Sequence, residues 1–267
     1  MRKEIHAKEL MALALDLAAR ASAIHRSHLQ SELHVETKST DSDFVSNVDR
    51  EAEEMIVHRL LAARPNDGLL SEEGAVGEGT SGVRWIIDPL DGTTNFIRGY
   101  PSFGCSIAVE VDGRPLLGVV SDSLRNAAYA GMTGDGATFG ARPISLRTPP
   151  GSLTEAIVST GFSYDASQRH LQGSVMAQVA ERIADIRRSG SAALDLCRLA
   201  AGSVDAFFEL DLAPWDYAAG SIIAEAAGAE VLQVPAAHGQ GPAIVAAHPR
   251  LLPALVDLLH AAGALSD

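Results

Sequence analysis

Asp88 and Asp91 sit within the stretch Trp85-Ile-Ile-Asp-Pro-Leu-Asp-Gly-Thr-Thr-Asn-Phe-Ile-Arg-Gly-Tyr100. Trp85, Ile86 and Ile87 form an apolar run of the length of a buried strand, too short for a helix. Pro89 cannot donate to a ladder and Asp91-Gly92 is turn chemistry, so the strand is expected to end at Asp88 with both carboxylates on one tight loop. Converging carboxylates repel unless a cation lies between them. Hard divalent cations take oxygen ligands, which makes the Leu90 carbonyl a natural third donor. Asp91 is expected to cap a short helix opening at Gly92, Thr93 and Thr94, whose free N–H groups would meet an anion. The chemistry that suits this spacing is a metal held next to a phosphate.

Bulk properties bound that reading. With 267 residues, 46% hydrophobic and 21% charged, the chain has the composition of a folded protein able to bury a large core. A net charge of -13 argues against a nucleic-acid or anionic-membrane partner and would repel a phosphate ester unless bound cations reverse the local field. Cys105 and Cys197 stand in apolar contexts and are expected as buried free thiols. Glu4, Glu9 and Asp16 interrupt any apolar leader and no apolar run is long enough to span a bilayer, so the expectation is a soluble cytoplasmic protein without membrane partners.

The elements that position these residues read in order. An amphipathic helix runs from Lys3 to about His28, with His25 and His28 expected at its exposed end. A polar loop containing Lys38, Asp41 and Asp43 leads to a second helix, Asn47–Arg64, with Asp49 in its first turn. Counted from Asp41 the loop fails a calcium-loop pattern, because Ser46 and Ala52 stand where glycine and glutamate are needed. Leu69 to Glu73 ends a short strand on two acids, Glu72 and Glu73, that should face opposite ways. Strands at Gly104–Val111, Leu116–Asp122, Asn126–Ala130 and near Thr138 form an antiparallel meander with a hairpin at Asp112-Gly113, and Gly134, Gly136 and Gly140 are turn glycines. Arg147–Ser152 is the linker, dividing residues 1–147, helices plus an antiparallel sheet, from 148–267, where strands and helices alternate as in an α/β half.

The central stretch resembles the first signature of the inositol monophosphatase family of magnesium-dependent, lithium-sensitive phosphatases. Trp215-Asp216-Tyr-Ala-Ala-Gly220 resembles the second, and Arg188-Ser-Gly-Ser-Ala192-Ala resembles the substrate-contact turn; the resemblance covers nearly the whole chain. Lys38 and Asp49 match the family's lysine and aspartate in spacing, although Ser46 replaces a common threonine. The resemblance implies a layered α-β-α-β-α sandwich, of mixed α+β and α/β character, and a homodimer. It implies that Glu72, Asp88 and the Leu90 carbonyl hold one magnesium and Asp88, Asp91 and Asp216 a second, with two or three Mg2+ in all. It further implies that Asp49, Glu72 and Thr93 are catalytic, Thr93 oriented by Asp49 toward an attacking water. Lys38, Asp91, Gly92, Thr93, Gly190, Ser191, Ala192, Glu209 and Asp216 would contact the substrate.

The expected activity is hydrolysis of inositol 1-phosphate or a similar small polyol phosphate by metal-activated water, without a covalent intermediate. Neither a GxSxG elbow nor a CxxxxxR loop is present to supply an enzymic nucleophile. Histidinol phosphate, fructose 1,6-bisphosphate and nucleotide 3'-phosphates are the alternatives within the fold, and Thr94-Asn95 after Thr93 resembles the inositol branch. From another class, the alternative is a non-catalytic metal-binding regulatory protein, which a missing ligand would signal; no ligand is missing.

Overall fold

The computed structural model describes residues 2–29, 31, 33–38, 40, 44–74, 76–237, 239 and 241–266. Asp41 and Asp43, on which the calcium-loop pattern was tested, lie outside them. The first helix, α1 (Arg2–Ser27), is followed by a short antiparallel ladder of β1 (Val35–Thr37) and β2 (Phe44–Ser46), where a loop alone was expected. Helix α2 (Asn47–Ala63) then starts at a reciprocal cap: Val48 N donates to Ser46 Oγ, and Ser46 N donates to Asp49 Oδ2.

An eight-stranded sheet comes next, built from β3 (Gly68–Ser71), β4 (Val76–Gly77), β5 (Val83–Asp91), β6 (Gly104–Val111), β7 (Arg114–Asp122), β8 (Ala127–Met132), β9 (Gly136–Phe139) and β10 (Arg142–Ile144), with α3 (Thr93–Arg98) leaving β5. Its spatial order is β10-β9-β8-β7-β6-β5-β3-β4, antiparallel except at β3–β5. Asp112 and Gly113 both take positive φ, as a hairpin turn matching the strand twist requires.

The remaining chain alternates as expected: β11 (Ile157–Ser159), α4 (Ala166–Val179), β12 (Asp185–Arg187), α5 (Ala192–Ala200), β13 (Ala206–Leu210), α6 (Pro214–Ala226), β14 (Glu230–Pro235), β15 (Pro242–Ala247) and α7 (Leu252–Ala261). These strands form a five-stranded sheet, parallel at β12-β11-β13 and antiparallel at β13-β15-β14.

Side-chain alternation along the strands assigns the layers. Trp85, Ile87, Cys105, Ile107, Val109, Leu117 and Val119 face Leu10, Leu17, Ile56 and Leu60 of α1 and α2. Ile86, Ala108 and Val120, on the other face, meet Ala193 and Leu194 of α5 and Ile222 and Ile223 of α6. Leu196 and Leu199 of α5 pack on Phe207, Ile244 and Ala246 of the second sheet. That sheet's far face, with Phe208 and Val245, is covered by Val175 and Val179 of α4 and Leu255 and Leu259 of α7. The result is an α-β-α-β-α sandwich.

Asp67 ties the first sheet together. Its carboxylate receives Arg64 Nε at 2.7 Å, Arg64 Nη2 at 3.1 Å, Ser81 Oγ at 2.7 Å and the buried Trp85 Nε1 at 2.9 Å. Burial opposes its ionisation, but the bonds from Arg64, Ser81 and Trp85 outweigh it and hold the carboxyl below its ordinary value. A depressed value means the contribution is complete at neutral pH and is lost only as pH falls through the folded value. Asp67→Ala leaves these donors stranded and should lower stability at pH 7 by about 2 to 3 kcal/mol, read from urea unfolding midpoints; an unchanged midpoint would remove Asp67 from the account of the sheet.

Candidate active site

Strand β5 does not stop at Asp88. It continues through Pro89 on a register shift, with Asp88 opposite Ser106 and Asp91 opposite Gly104. A bulge is one of the few places in a sheet where a residue without an N–H is tolerated. Gly92, at φ 89°, rather than Asp91, is the N-cap of α3 and makes no side-chain cap. A Cβ at that position would also lie 2.7 Å from the Ser102 carbonyl oxygen. Relieved of capping, Asp91 reaches across to α5, where its Oδ2 accepts from Ser191 Oγ and, at 3.0 Å, from Ala193 N. Ser191 is thus the buried N-cap of α5 and a donor to Asp91 at once.

On the inner side, Leu90 N donates to Asp88 Oδ1 at 2.9 Å. The Thr93 hydroxyl lies 2.7 Å from Asp49 Oδ1 and 2.9 Å from the Leu90 carbonyl oxygen, and its one proton can go to either. Asp49 takes its other bonds from Ser46 N at 2.9 Å and Ser46 Oγ at 2.6 Å.

Glu72 and Glu73 do not face opposite ways, because β3 ends at Ser71 and both acids stand on the following turn. Both meet Lys38 Nζ, at 2.8 Å from Glu72 and 2.5 Å from Glu73. Burial pushes the Glu73 carboxyl up to about 7 against the pull of Lys38. Asp216, in the first turn of α6, accepts from Ala213 N at 2.7 Å.

A cavity of about 490 Å3 brings Asp91 together with residues from later in the chain, Gly190, Ala192, Glu209 and Asp216, in its lining. Lys38, Asp49, Glu72, Gly92, Thr93 and Ser191 are not in that lining; Ser191 touches Asp91, Gly92 and Thr93 follow it in the chain, Asp49 meets Thr93, and Lys38 meets Glu72. Glu209 is seated by Gly161, where an added Cβ would fall 1.8 Å from Glu209 Oε1. Burial pushes the Glu209 carboxyl up to about 8, Asp195 and Asp91 adding to the rise and Arg188 opposing it.

Several residues here escape a sequence reading. Phe162 and Tyr164 join the cavity only through tertiary packing, as does Gly161 beside Glu209, whereas Arg188, which opens the turn singled out in the sequence, is the one cation among its described lining. Asn95 Nδ2 donates to the carbonyls of Ser102 at 2.7 Å and Ser189 at 2.8 Å, pinning the turn before α5 against α3; its place in the central stretch was the available signal. His25 is fully buried, not at an exposed helix end. Its Nδ1 lies 2.8 Å from Ser123 Oγ, its ring stands against the Phe96–Phe103 pair at centroid distances of 6.2 and 6.4 Å, and burial pushes it down to about 3. His28 pairs with Glu51 at 2.9 Å. Cys105 and Cys197 are buried free thiols.

The sequence matches the model of the inositol monophosphatase family over residues 6–264. The chain belongs to that family. It is 39% identical to the Nus factor SuhB of Vibrio cholerae over 91% of this chain and 94% of that protein. It is also 39% identical to the inositol-1-monophosphatase SuhB of Mycobacterium tuberculosis, over 84% of this chain and 81% of that one. The crystal structure of the extragenic suppressor protein SuhB from Bartonella henselae superimposes with a TM-score of 0.85 at 32% identity, covering 95% of this chain and 98% of that one. Membership supports phosphatase activity, and no helix among the described residues is long and apolar enough to cross a membrane.

The donor set suits the family's metal dependence in its chemistry. Among the described residues no three His, Cys, Asp or Glu side chains stand close enough together as placed to hold a metal ion. Yet burial, and then repulsion from Glu72, Asp91 and Asp216, pushes the Asp88 carboxyl well up, with Glu72 within hydrogen-bonding reach of it. Asp91 and Asp216 each use Oδ2 for the bonds described above, and Oδ1 of each takes none from the described residues. An all-oxygen, mutually repelling set with oxygens to spare is what a hard divalent cation relieves.

Proposed function

We propose that this chain is a magnesium-dependent phosphomonoesterase acting on inositol 1-phosphate or a similar small polyol phosphate. The observation that carries the reading is the approach of Glu72, Asp88, Asp91 and Asp216 beside the Asp49–Thr93 pair, next to a cavity lined by Glu209 and Arg188. The name of the Mycobacterium tuberculosis relative, an inositol-1-monophosphatase, supports it. Magnesium held by Glu72, Asp88, the Leu90 carbonyl, Asp91 and Asp216 would acidify a bound water and neutralise charge on phosphate and leaving alkoxide.

The chain's own groups do the rest. Thr93, donating to Asp49, keeps its oxygen lone pairs for an attacking water and hands a proton on to Asp49. Burial pushes the Asp49 carboxyl up while Ser46 and Thr93 pull it back, so it is more basic than a surface aspartate. Gly92 and Thr93 would border the phosphate; Gly190, Ser191, Ala192 and Glu209 would border the alcohol; Lys38 would balance the acids at Glu72. Lithium inhibition, a homodimer and a cytoplasmic location without nucleic-acid contact belong to the same proposal.

The test is kcat/KM across inositol 1-phosphate, 2-glycerophosphate, histidinol phosphate, fructose 1,6-bisphosphate and adenosine 3',5'-bisphosphate at saturating magnesium. Inositol 1-phosphate is expected to rank first; a preference for one of the others would replace the substrate assignment. Because Glu209 faces the alcohol, Glu209→Ala should weaken kcat/KM for inositol 1-phosphate by about 1 to 3 kcal/mol more than for 2-glycerophosphate. An unchanged ratio would remove Glu209 from recognition. A regulatory role is the second reading, favoured by the Nus-factor name of the Vibrio cholerae relative; the net charge of -13 favours a protein partner over direct RNA contact.

A further inference from the structure

The segment Phe162–Asp165 borders the cavity with a side chain that the proposed reaction does not use. Tyr164 lines the same cavity as Asp91, Glu209 and Asp216. Its backbone is held from two directions, since its carbonyl oxygen accepts from Arg169 Nη1 at 2.8 Å on α4 and from Thr40 Oγ1 at 3.2 Å in the first half of the chain. Burial pushes its phenol up to about 12. The residue as a whole is nevertheless 41% exposed, so part of the side chain reaches the solvent-accessible surface.

The cavity therefore has two kinds of lining. Asp91 and Asp216 belong to the phosphate and cation side. Glu209 and Arg188 offer hydrogen bonds to hydroxyl groups, and Tyr164 with the partly buried Phe162 offers flat apolar area. A ring-shaped polyol presents both chemistries, O–H groups at its edge and C–H groups on its faces, and an aromatic wall covers a C–H face at little entropic cost. A three-carbon alcohol presents too little C–H surface to use such a wall. A volume of about 490 Å3 leaves room for the larger alcohol.

We propose that Tyr164 is a specificity-determining residue that selects ring-shaped polyol phosphates by covering a C–H face of the alcohol, an inference that rests on the phosphatase reading above. The phosphate grip lies elsewhere, on the acids, cations and main chain around Asp91, so Tyr164 acts on alcohol choice and on KM more than on kcat. The ring is the working part, and the two bonds to its carbonyl oxygen fix the backbone that carries it.

The experiment compares kcat/KM for inositol 1-phosphate and 2-glycerophosphate in wild type, Tyr164→Ala and Tyr164→Phe at saturating magnesium, with thermal midpoints and the inhibition constant of inorganic phosphate measured on each. The inositol-to-glycerol ratio is expected to fall about tenfold in Tyr164→Ala, mainly through KM, and less than threefold in Tyr164→Phe, with phosphate inhibition retained. Equal losses on both substrates, or an unchanged ratio in Tyr164→Ala, overturn the assignment. If Tyr164→Ala does not fold, Tyr164→Leu carries the same comparison. A wild-type chain that hydrolyses neither ester overturns the phosphatase reading itself and this inference with it.

Discussion

Asp91→Asn and Asp216→Asn are each expected to lower phosphate-ester turnover by about a hundredfold or more at saturating magnesium, with the thermal midpoint little changed. The two readouts separate because each aspartate does two things. Asp91 Oδ2 takes the Ser191 hydroxyl and Ala193 N, and Asp216 Oδ2 takes Ala213 N. An asparagine keeps a side-chain oxygen for those bonds, so the seam between β5 and α5 and the start of α6 survive. What it removes is the negative charge that the proposed site offers to a cation. Asp91→Ala removes both functions and should lose stability as well as turnover. Turnover within threefold of wild type in both asparagine variants would take these residues out of the ligand set.

Thr93→Ala is expected to be nearly as damaging, on the order of a hundredfold in kcat, whereas Thr93→Ser should recover most of the loss. The Thr93 hydroxyl stands between Asp49 Oδ1 and the Leu90 carbonyl oxygen at 2.7 and 2.9 Å, and serine can place its oxygen in the same position. Alanine leaves Asp49 with its Ser46 bonds but nothing to pass a proton to it. If Thr93 merely supported the bulge, Ser and Ala would differ in thermal midpoint and not in kcat. Equal kcat in the two variants would therefore remove Thr93 from proton transfer.

The layers were legible because each strand carries its own address. Trp85 and Ile87 go one way and Ile86 the other, and the same alternation in β6, β7, β13 and β15 builds two sheets with apolar cover on both faces. The carboxylates were legible as well, because Asp88 and Asp91 are close in sequence and only a few backbone paths join them. The path taken was not. Pro89 argues for the end of a strand, and the β5–β6 ladder resumes at Asp91 only because the register shift beside Gly104 accommodates it. Aspartate before Gly92 looks like a cap, yet the positive φ of Gly92 turns the chain so that Asp91 meets α5 instead. Both glutamates reach Lys38 because β3 stops at Ser71, and a boundary of one or two residues is below what periodicity resolves. His25 shows the remaining gap: the helix period locates its face, but Phe96, Phe103 and Ser123, which enclose it, lie far along the chain. Gly161 and Tyr164 are the same case at the cavity, where their neighbours Glu209 and Thr94 come from other segments.

The proposed chemistry stands most directly on one measurement, phosphate release from inositol 1-phosphate by chelator-treated protein with magnesium titrated back. The expected result is no turnover above background in the stripped protein and saturable recovery with magnesium, because Glu72, Asp88, Asp91 and Asp216 by themselves would repel the phosphate ester that Thr93 and Asp49 are proposed to hydrolyse. Undiminished turnover in the stripped protein, or none after magnesium is restored to correctly folded chain, would contradict the account.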